Sequence, residues 1–452
     1  MTDATGLEPV ARAARIDALD VLRGIAILGI FYMNLPYMAS NVVLLDNDIR
    51  SLGWTPFDQG SWIVVQLLLE GTQRGLLEFL FGAGMMVLAA KAMTPDGPVA
   101  TADLYYRRNL WLLAFGLFDI FVLLWPGDIL HVYALAALFL FPFRTLAPKW
   151  LLAIGLSFAL LTTVLGAIDY AERADLASRG QAVAAKQATR VAPTVAERET
   201  LAEWRKVVDA RKIDPDEKKR VDTEVAARSP GASLGTYGWF MWNEWIGFAG
   251  WRWTVGTVVE AFCMMLIGVA LWKWGILQGS RSARFYAGLA AAGYAVGLAI
   301  RGFGAAETLA FSTAPKTIWA SWEFGRIAVT LGHVGLIHLL LKSVAGTRLL
   351  HPFKAAGRTA FSLYFMQQII GNFILFAPFG LGWFGRFGWA ELALIATIVI
   401  AAQLVIANIW VRYFVSGPLE WLWRSLSYRR HQPFRKDVST PPLPTGQRAA
   451  TG

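Results

Sequence analysis

Apolar residues recur along the chain in blocks of about twenty, the length a helix needs to cross the hydrocarbon core of a bilayer. The pattern predicts spans near 18–36, 75–92, 110–126, 129–147, 150–169, 253–274, 285–301, 317–341, 358–377 and 389–412, about ten in all. A further apolar segment, 57–73, is short and carries Asp58 and Glu70; it reads as an interfacial or re-entrant helix leading into the second span. The expected fold class is therefore all-α, a polytopic transmembrane helix bundle.

Loop charge gives the orientation, because cytoplasmic loops accumulate Lys and Arg. With the N-terminus inside, cytoplasmic segments hold Arg12, Arg15 and Arg23; Lys91, Arg107 and Arg108; Arg144 and Lys149; Lys273, Arg281 and Arg284; Lys342, Arg348, Lys354 and Arg358; and Arg412 with the basic tail. The outer loops hold few: Arg50, Arg252, Arg301, Lys316 and Arg386. The alternation stays in phase, so both termini are expected inside and 57–73 is expected not to span.

Between the fifth and sixth spans lies a polar insert. Residues 171–230 contain 13 Lys/Arg and 11 Asp/Glu, and their Ala/Glu/Lys/Arg composition suggests exposed outer helices interrupted at Pro193, Pro215 and Pro230. An aromatic run follows: Tyr237, Trp239, Phe240, Trp242, Trp245, Phe248, Trp251 and Trp253. It lies flat in the headgroup belt or stacks on a substrate. The expected organisation is a membrane half over 1–169, the insert and aromatic segment over 170–252, a second membrane domain over 253–432 and a disordered cytoplasmic tail over 433–452. The first span is long enough to stay in the membrane rather than act as a cleaved signal.

Composition supports this and excludes alternatives. Of 452 residues, 56% are apolar and only 16% charged, which rules out a soluble enzyme, a nucleic-acid-binding domain and a disordered chain. The net charge of +10 belongs to the topology, not to a nucleic-acid partner. One cysteine, Cys263, and five histidines without a ligand cluster predict no disulfide and no metal.

Ionisable residues at bilayer depth are costly and mark candidate sites. Asp20 and Arg23, three apart near the cytoplasmic surface, form an ion pair or present Arg23 to an anionic phosphate. Asn34 caps its helix or donates to an oxyanion. Glu70, Arg74 and Glu78, at i, i+4 and i+8, stack on one inward stripe as a self-neutralising strut or a catalytic acid. In the turn Trp125-Pro126-Gly127-Asp128, Asp128 is placed to cap the next helix and His131 faces the same side. Either they cap and pack, or His131 is a base oriented by Asp128. In the eighth span Glu323, Arg326, Thr330 and His333 share one face, with Glu323–Arg326 a buried pair and His333 in a cavity or on a backbone carbonyl. Glu260 faces inward without a nameable partner.

Five stretches carry a resemblance. RIDALDVLRGIAILGIFYMN, EGTQRGLLEFLFGAG, WPGDILHVYAL, GRTAFSLYFMQQIIGNFILF and YFVSGPLEWLWRSLSYRR occur in this order across nearly the whole chain. They resemble the motifs of the YeiB-like membrane proteins with their C-terminal domain of unknown function 418. The opening is also similar to that of the heparan-alpha-glucosaminide N-acetyltransferases. Asp20, Arg23, Gly24 and Asn34 match the shared opening; Glu70, Gly71, Arg74, Gly82, Trp125, Gly127, Asp128 and Tyr133 match the YeiB-like blocks; Gly357, Arg358, Tyr364, Gln367, Gly417, Pro418, Glu420 and Trp421 match the C-terminal ones. Leu363 departs from the Asn that many members carry before the tyrosine. The sugar acetyltransferases place their active histidine in the first outer loop, and residues 36–60 here contain none. Either His131 takes that role or this branch does different chemistry.

The resemblance implies a transmembrane acyltransferase in a bacterial cytoplasmic (inner) membrane. Acyl-CoA, with acetyl-CoA as one candidate, would enter from the cytoplasm with its phosphates met by some of Arg23, Arg107, Arg108 and Arg358. His131, aligned by Asp128, would deprotonate a sugar or lipid acceptor, with Asn34 stabilising the oxyanion. Glu70, Arg74, Trp125, Tyr133, Glu260, Glu323, Arg326, His333, Tyr364 and Gln367 are expected to line the cavity. Membrane lipid is an expected partner, and a homodimer is neither required nor excluded. The rival from another class is a transporter or a lipid- or quinone-binding protein using Glu323, Arg326, His333 and Glu260 as a path. A third possibility makes the insert a docking module for an outer partner.

Overall fold

A computed structural model describes residues 16–90, 99–209, 213–248 and 251–436, and side chains within these ranges except those of 245–253. Arg12, Arg15, Lys91, the side chains of Trp245, Phe248, Trp251, Arg252 and Trp253, and the tail beyond 436 lie outside what is described. Among the described residues the chain is an all-α bundle.

The first half begins with α1 (Asp17–Gly29), α2 (Phe31–Ala39, with Pro36 inside it) and short α3 (Val42–Asn47). Then come α4 (Pro56–Val64), α5 (Thr72–Ala89), α6 (Val99–Phe121), α7 (Leu130–Leu140), α8 (Pro148–Gly155) and α9 (Ser157–Ala188). The insert adds α10 (Val195–Asp209), α11 (Pro215–Arg228) and α12 (Leu234–Phe248). The second half holds α13 (Trp251–Lys273), α14 (Ala283–Leu309), α15 (Ile318–Leu341), α16 (Val344–Arg358), α17 (Ala360–Gln368), α18 (Trp389–Tyr413) and α19 (Pro418–Tyr428).

Over its described residues each of the ten expected spans is built mainly of helix, although the third ends at Phe121 rather than 126. Among the described residues, six segments are long and apolar enough to cross a membrane: Asp17–Ala39, Pro148–Ala188, Thr254–Lys273, Ala283–Leu309, Ile318–Leu341 and Trp389–Tyr413. Leu130–Thr145 and Ala360–Leu375 are shorter apolar helices. The outward faces fit a lipid environment: α9 exposes Leu160, Leu161, Val164 and Leu165, and α18 exposes Leu394, Ile398, Val405 and Ile409. Such continuous apolar surface is what a bilayer, not water, would cover.

Two boundaries differ from the sequence expectation. The fifth span does not stop at 169 but continues as one helix to Ala188, so the boundary expected there falls inside α9. Arg301, expected in an outer loop, lies within α14 and is 2% exposed. Helical hydrogen bonding continues through such residues wherever an internal partner takes the charge, and composition alone does not reveal the partner.

The centre of the bundle is α1, packed on α16, α5, α17 and α15. Its contact with α16 is backbone to backbone. A Cβ at Gly24 would run into the carbonyl of Phe353, and one at Gly357 into the carbonyl of Asp20. Small residues at helix crossings permit this approach in a membrane, where van der Waals contact replaces hydrophobic driving force. Around this pair, α13 lies on α5, α7 and α8, α14 on α15, α18 on α4 and α2, and α19 on α6.

Gly357→Ala should force α1 and α16 apart, costing about 1–3 kcal/mol as overpacking does. The thermal unfolding midpoint in detergent should fall by several degrees. Gly302→Ala, where an added Cβ meets nothing within 4 Å, should leave it nearly unchanged.

Candidate functional site

The charged residues at the heart of the bundle form one network. The Arg326 guanidinium lies 2.8 Å from Glu323, 2.6 Å from Glu260 and 3.0 Å from Glu78. Arg74 lies 2.5 Å from Glu260 and 3.5 Å from Glu78. Two cations and three carboxylates from α5, α13 and α15 thus pair with one another, and Glu260 acquires its partners. The expected pair Glu323–Arg326 is present within this larger set.

The expected stripe of Glu70, Arg74 and Glu78 on one helix is not continuous. A π-helical turn, Val65–Leu69, ends at Glu70, and Gly71 has φ +70°, so α5 begins only at Thr72. Glycine fits here because the left-handed backbone disfavours a side chain and because a Cβ would lie 2.8 Å from Arg326 Cδ. The carbonyls loosened by the break are taken up locally. Arg301 donates to Gln66 O at 2.6 Å and Glu70 O at 2.7 Å. His333 Nε2 bonds Leu68 O at 2.7 Å and its Nδ1 lies 2.7 Å from the Tyr294 hydroxyl.

Two cavities share part of one wall. One, of about 230 Å³, is walled by Arg23, Arg108, Arg358 and Arg424 with Tyr105, Phe361 and Trp423. The other, of about 250 Å³, is walled by Asn34, Glu70, Arg74, Trp125, Asp128 and Asn372, together with Glu224, Arg228, Phe240 and Met241 of the insert. Along α1 and α2 the lining passes from Arg23 and Ile27 through Ile30 to Met33 and Asn34; along α5 it passes from Leu88 back to Arg74. Ile129 and Tyr133 belong to both walls and form the partition.

At that partition sits a buried polar cluster. Asp128 Oδ2 accepts from the His131 backbone N–H and from its ring Nδ1, each at 2.8 Å. Asp128 Oδ1 accepts from the Tyr364 hydroxyl at 3.1 Å, and the Ile129 N–H reaches that hydroxyl at 3.3 Å. The carboxyl of Asp119, fully buried on α6, lies beside the Asp128 carboxyl and the Tyr364 hydroxyl. Asp128 therefore both caps the turn into α7 and orients the His131 ring.

The insert closes the second cavity, which its charge-rich composition does not suggest. Arg228 is 2% exposed, pairs with Glu224 at 2.9 Å, donates to Met38 O and stacks over Phe384 at 4.0 Å. Glu224 also accepts from Asn41 Nδ2 at 2.5 Å; its burial pushes the carboxyl above the usual range, against the pull of Arg228. Three polar atoms of the same wall, Asn34 Nδ2, Trp125 Nε1 and Asn372 Oδ1, have no partner among the described residues.

The residues singled out in sequence divide accordingly. Arg23, Arg108, Arg358 and Tyr364 line the arginine cavity; Asn34, Glu70, Arg74, Trp125 and Asp128 line the insert-side one; Tyr133 lines both. Glu260, Glu323, Arg326, His333, Gln367, Arg107 and His131 line neither. Gln367 is held by Ile27 O and Gln403, each at 3.1 Å, and Arg107 turns to Asp103 at 2.8 Å. His131 is 3% exposed and stands behind Asp128, against Gly116 of α6. Sequence reasoning missed Asp119, Asn372, Arg424 and the Glu224–Arg228 pair. Asp119 carried a readable signal, a carboxyl amid an apolar helix; the insert residues carried none.

Replacing Arg326 by Leu should leave three buried carboxylates with one cation and cost about 3–5 kcal/mol. Unfolding in detergent should show a large drop in midpoint, while Glu323→Gln, which keeps a hydrogen-bond acceptor for Arg326, should cost much less.

The chain was compared with known proteins. A family described as a protein of unknown function (DUF418) matches residues 271–430. The uncharacterized protein YxaH of Bacillus subtilis (strain 168) is 31% identical over 440 residues, covering 96% of this chain and 99% of that protein. The uncharacterized protein YeiB of Escherichia coli (strain K12) is 25% identical, covering 92% and 97%. An uncharacterized 39.9 kDa protein in the amylase 3' region of Bacillus acidopullulyticus is 23% identical, covering 94% and 98%. No solved structure matches. With similarity along its whole length and the family domain in its second half, the chain belongs to the YeiB-like DUF418 family of membrane proteins.

Proposed function

We propose that the protein transfers an acyl group across a bacterial cytoplasmic membrane, from a CoA thioester to a hydroxyl- or amine-bearing sugar or lipid on the far side. The observation that carries this is the pair of cavities meeting at Ile129 and Tyr133. An acyl donor in one and an acceptor in the other need only meet at the partition, and holding two reactants together supplies much of an acceleration. Arg23, Arg108, Arg358 and Arg424 suit the phosphates of CoA, acetyl-CoA being the simplest donor. By the positive-inside rule their end is cytoplasmic. The unpartnered Asn34, Trp125 and Asn372 atoms suit a polar acceptor or the oxyanion.

The geometry favours exchanging two roles relative to the sequence expectation. Asp128 borders the acceptor cavity and takes the proton, while His131, bonded behind it, orients the carboxylate. Glu260, Glu323 and Arg326 are paired with one another and His333 is held by Leu68 O and Tyr294; none lines either of the two cavities described above, which favours transfer over transport.

Isothermal titration of the purified protein in detergent should show acetyl-CoA binding. Arg23→Ala and Arg358→Ala should each weaken it by roughly 10-fold or more, the worth of a charge-assisted hydrogen bond. Arg107→Ala should leave it unchanged. Absence of binding by acetyl-CoA and by longer acyl-CoA esters defeats the proposal.

A further inference from the structure

We propose that Asp128 and Tyr364 are a proton relay through the partition, with Tyr364 the acid that protonates the departing thiol; this rests on the transfer function proposed above. The two side chains share one hydrogen bond, Tyr364 hydroxyl to Asp128 Oδ1 at 3.1 Å, yet border different cavities. Asp128 faces the acceptor side and Tyr364 the donor side. Acyl transfer from a thioester has one proton to move between those places. It leaves the acceptor's O–H or N–H and ends on the thiol, so a relay spanning the partition completes the reaction without a solvent proton.

The steps balance. As the acceptor's lone pair attacks the thioester carbon, Asp128 takes the acceptor's proton. As the tetrahedral intermediate collapses and its C–S bond breaks, the sulfur takes the phenol proton of Tyr364. Asp128 then returns its proton to the phenolate through Oδ1, and both groups regain their starting states. The cluster is built for this direction. Ile129 N–H donates toward the Tyr364 oxygen at 3.3 Å, which leaves the phenol hydrogen for Asp128 or a ligand. His131 occupies Asp128 Oδ2 through two donors at 2.8 Å, which leaves Oδ1 for the relay. Asp119, from α6, adds a second carboxyl beside Asp128 and the Tyr364 hydroxyl. Tyr364 is fully buried and Asp128 1% exposed, so the relay is shielded from bulk water.

The test varies the leaving group. Proteoliposomes of phosphatidylethanolamine and phosphatidylglycerol, whose headgroups offer an amine and hydroxyls, are given acetyl-CoA or p-nitrothiophenyl acetate, and thiol release is followed. The alkyl thiol of CoA needs a proton to leave; the nitro-substituted aryl thiolate does not. Tyr364→Phe, which keeps the ring and its packing, should slow release from acetyl-CoA by about 100-fold, the scale of general acid catalysis, and change release from the aryl thioester less than about threefold. Calorimetric acetyl-CoA affinity should be unchanged. Asp128→Asn should slow both donors, because the acceptor must lose its proton in either case. Equal loss with both donors in Tyr364→Phe, or no loss with acetyl-CoA, overturns the relay. A wild-type protein that binds no CoA ester and releases no thiol from either donor defeats the transfer function itself, and the relay with it.

Discussion

The fold depends on a constraint set by five charges. Arg74 and Arg326 must find carboxylates inside a bundle that offers little water, and Glu78, Glu260 and Glu323 supply them from three helices. Removing either arginine would leave buried carboxylates uncompensated, so the network fixes how α5, α13 and α15 slide along one another. It also reaches the break before α5. The Arg326 side chain lies where a Cβ at residue 71 would be, and the chain turns there through a glycine with a left-handed backbone. The π-helical turn before it is stabilised by Arg301 and His333, which occupy the carbonyls that a regular helix would have used. Much of the intramembrane charge is therefore structural.

Other polar groups line the two cavities. Arginines gather at one end, while at the other the Asn34, Trp125 and Asn372 atoms await partners. The wall between is made of Ile129 and Tyr133, with Asp128 and Tyr364 bonded across it. This arrangement sets two chambers of different lining on either side of one polar cluster. The insert contributes to it directly. Through Glu224 and Arg228, α11 is anchored to Met38, Asn41 and Phe384, so a segment with the composition of a solvated helix forms part of a cavity wall.

Much of the architecture was legible beforehand because a bilayer imposes simple rules. Apolar blocks of spanning length gave the helices, the Lys/Arg phase gave a consistent orientation, and ordered motifs gave the family. The site was legible only in part. Asp128 and its contact with His131 followed from spacing in a single turn, and Arg23 and Arg358 followed from their place near a helix end. Glu260 had no nameable partner because both of its cations, Arg74 and Arg326, are distant in sequence.

By itself, then, the sequence determined the class, the helices and the residue types available to a site, since these depend on local periodicity and on the cost of charge in hydrocarbon. Tertiary structure alone decided which charges are struts and which border a cavity. It put Asp128 in front of His131, turned Arg107, Gln367 and His333 away, and brought Asp119 and the insert's Arg228 inward. The physical reason is that a buried polar group is defined by its partner, and most of these partners come from helices far apart in the chain.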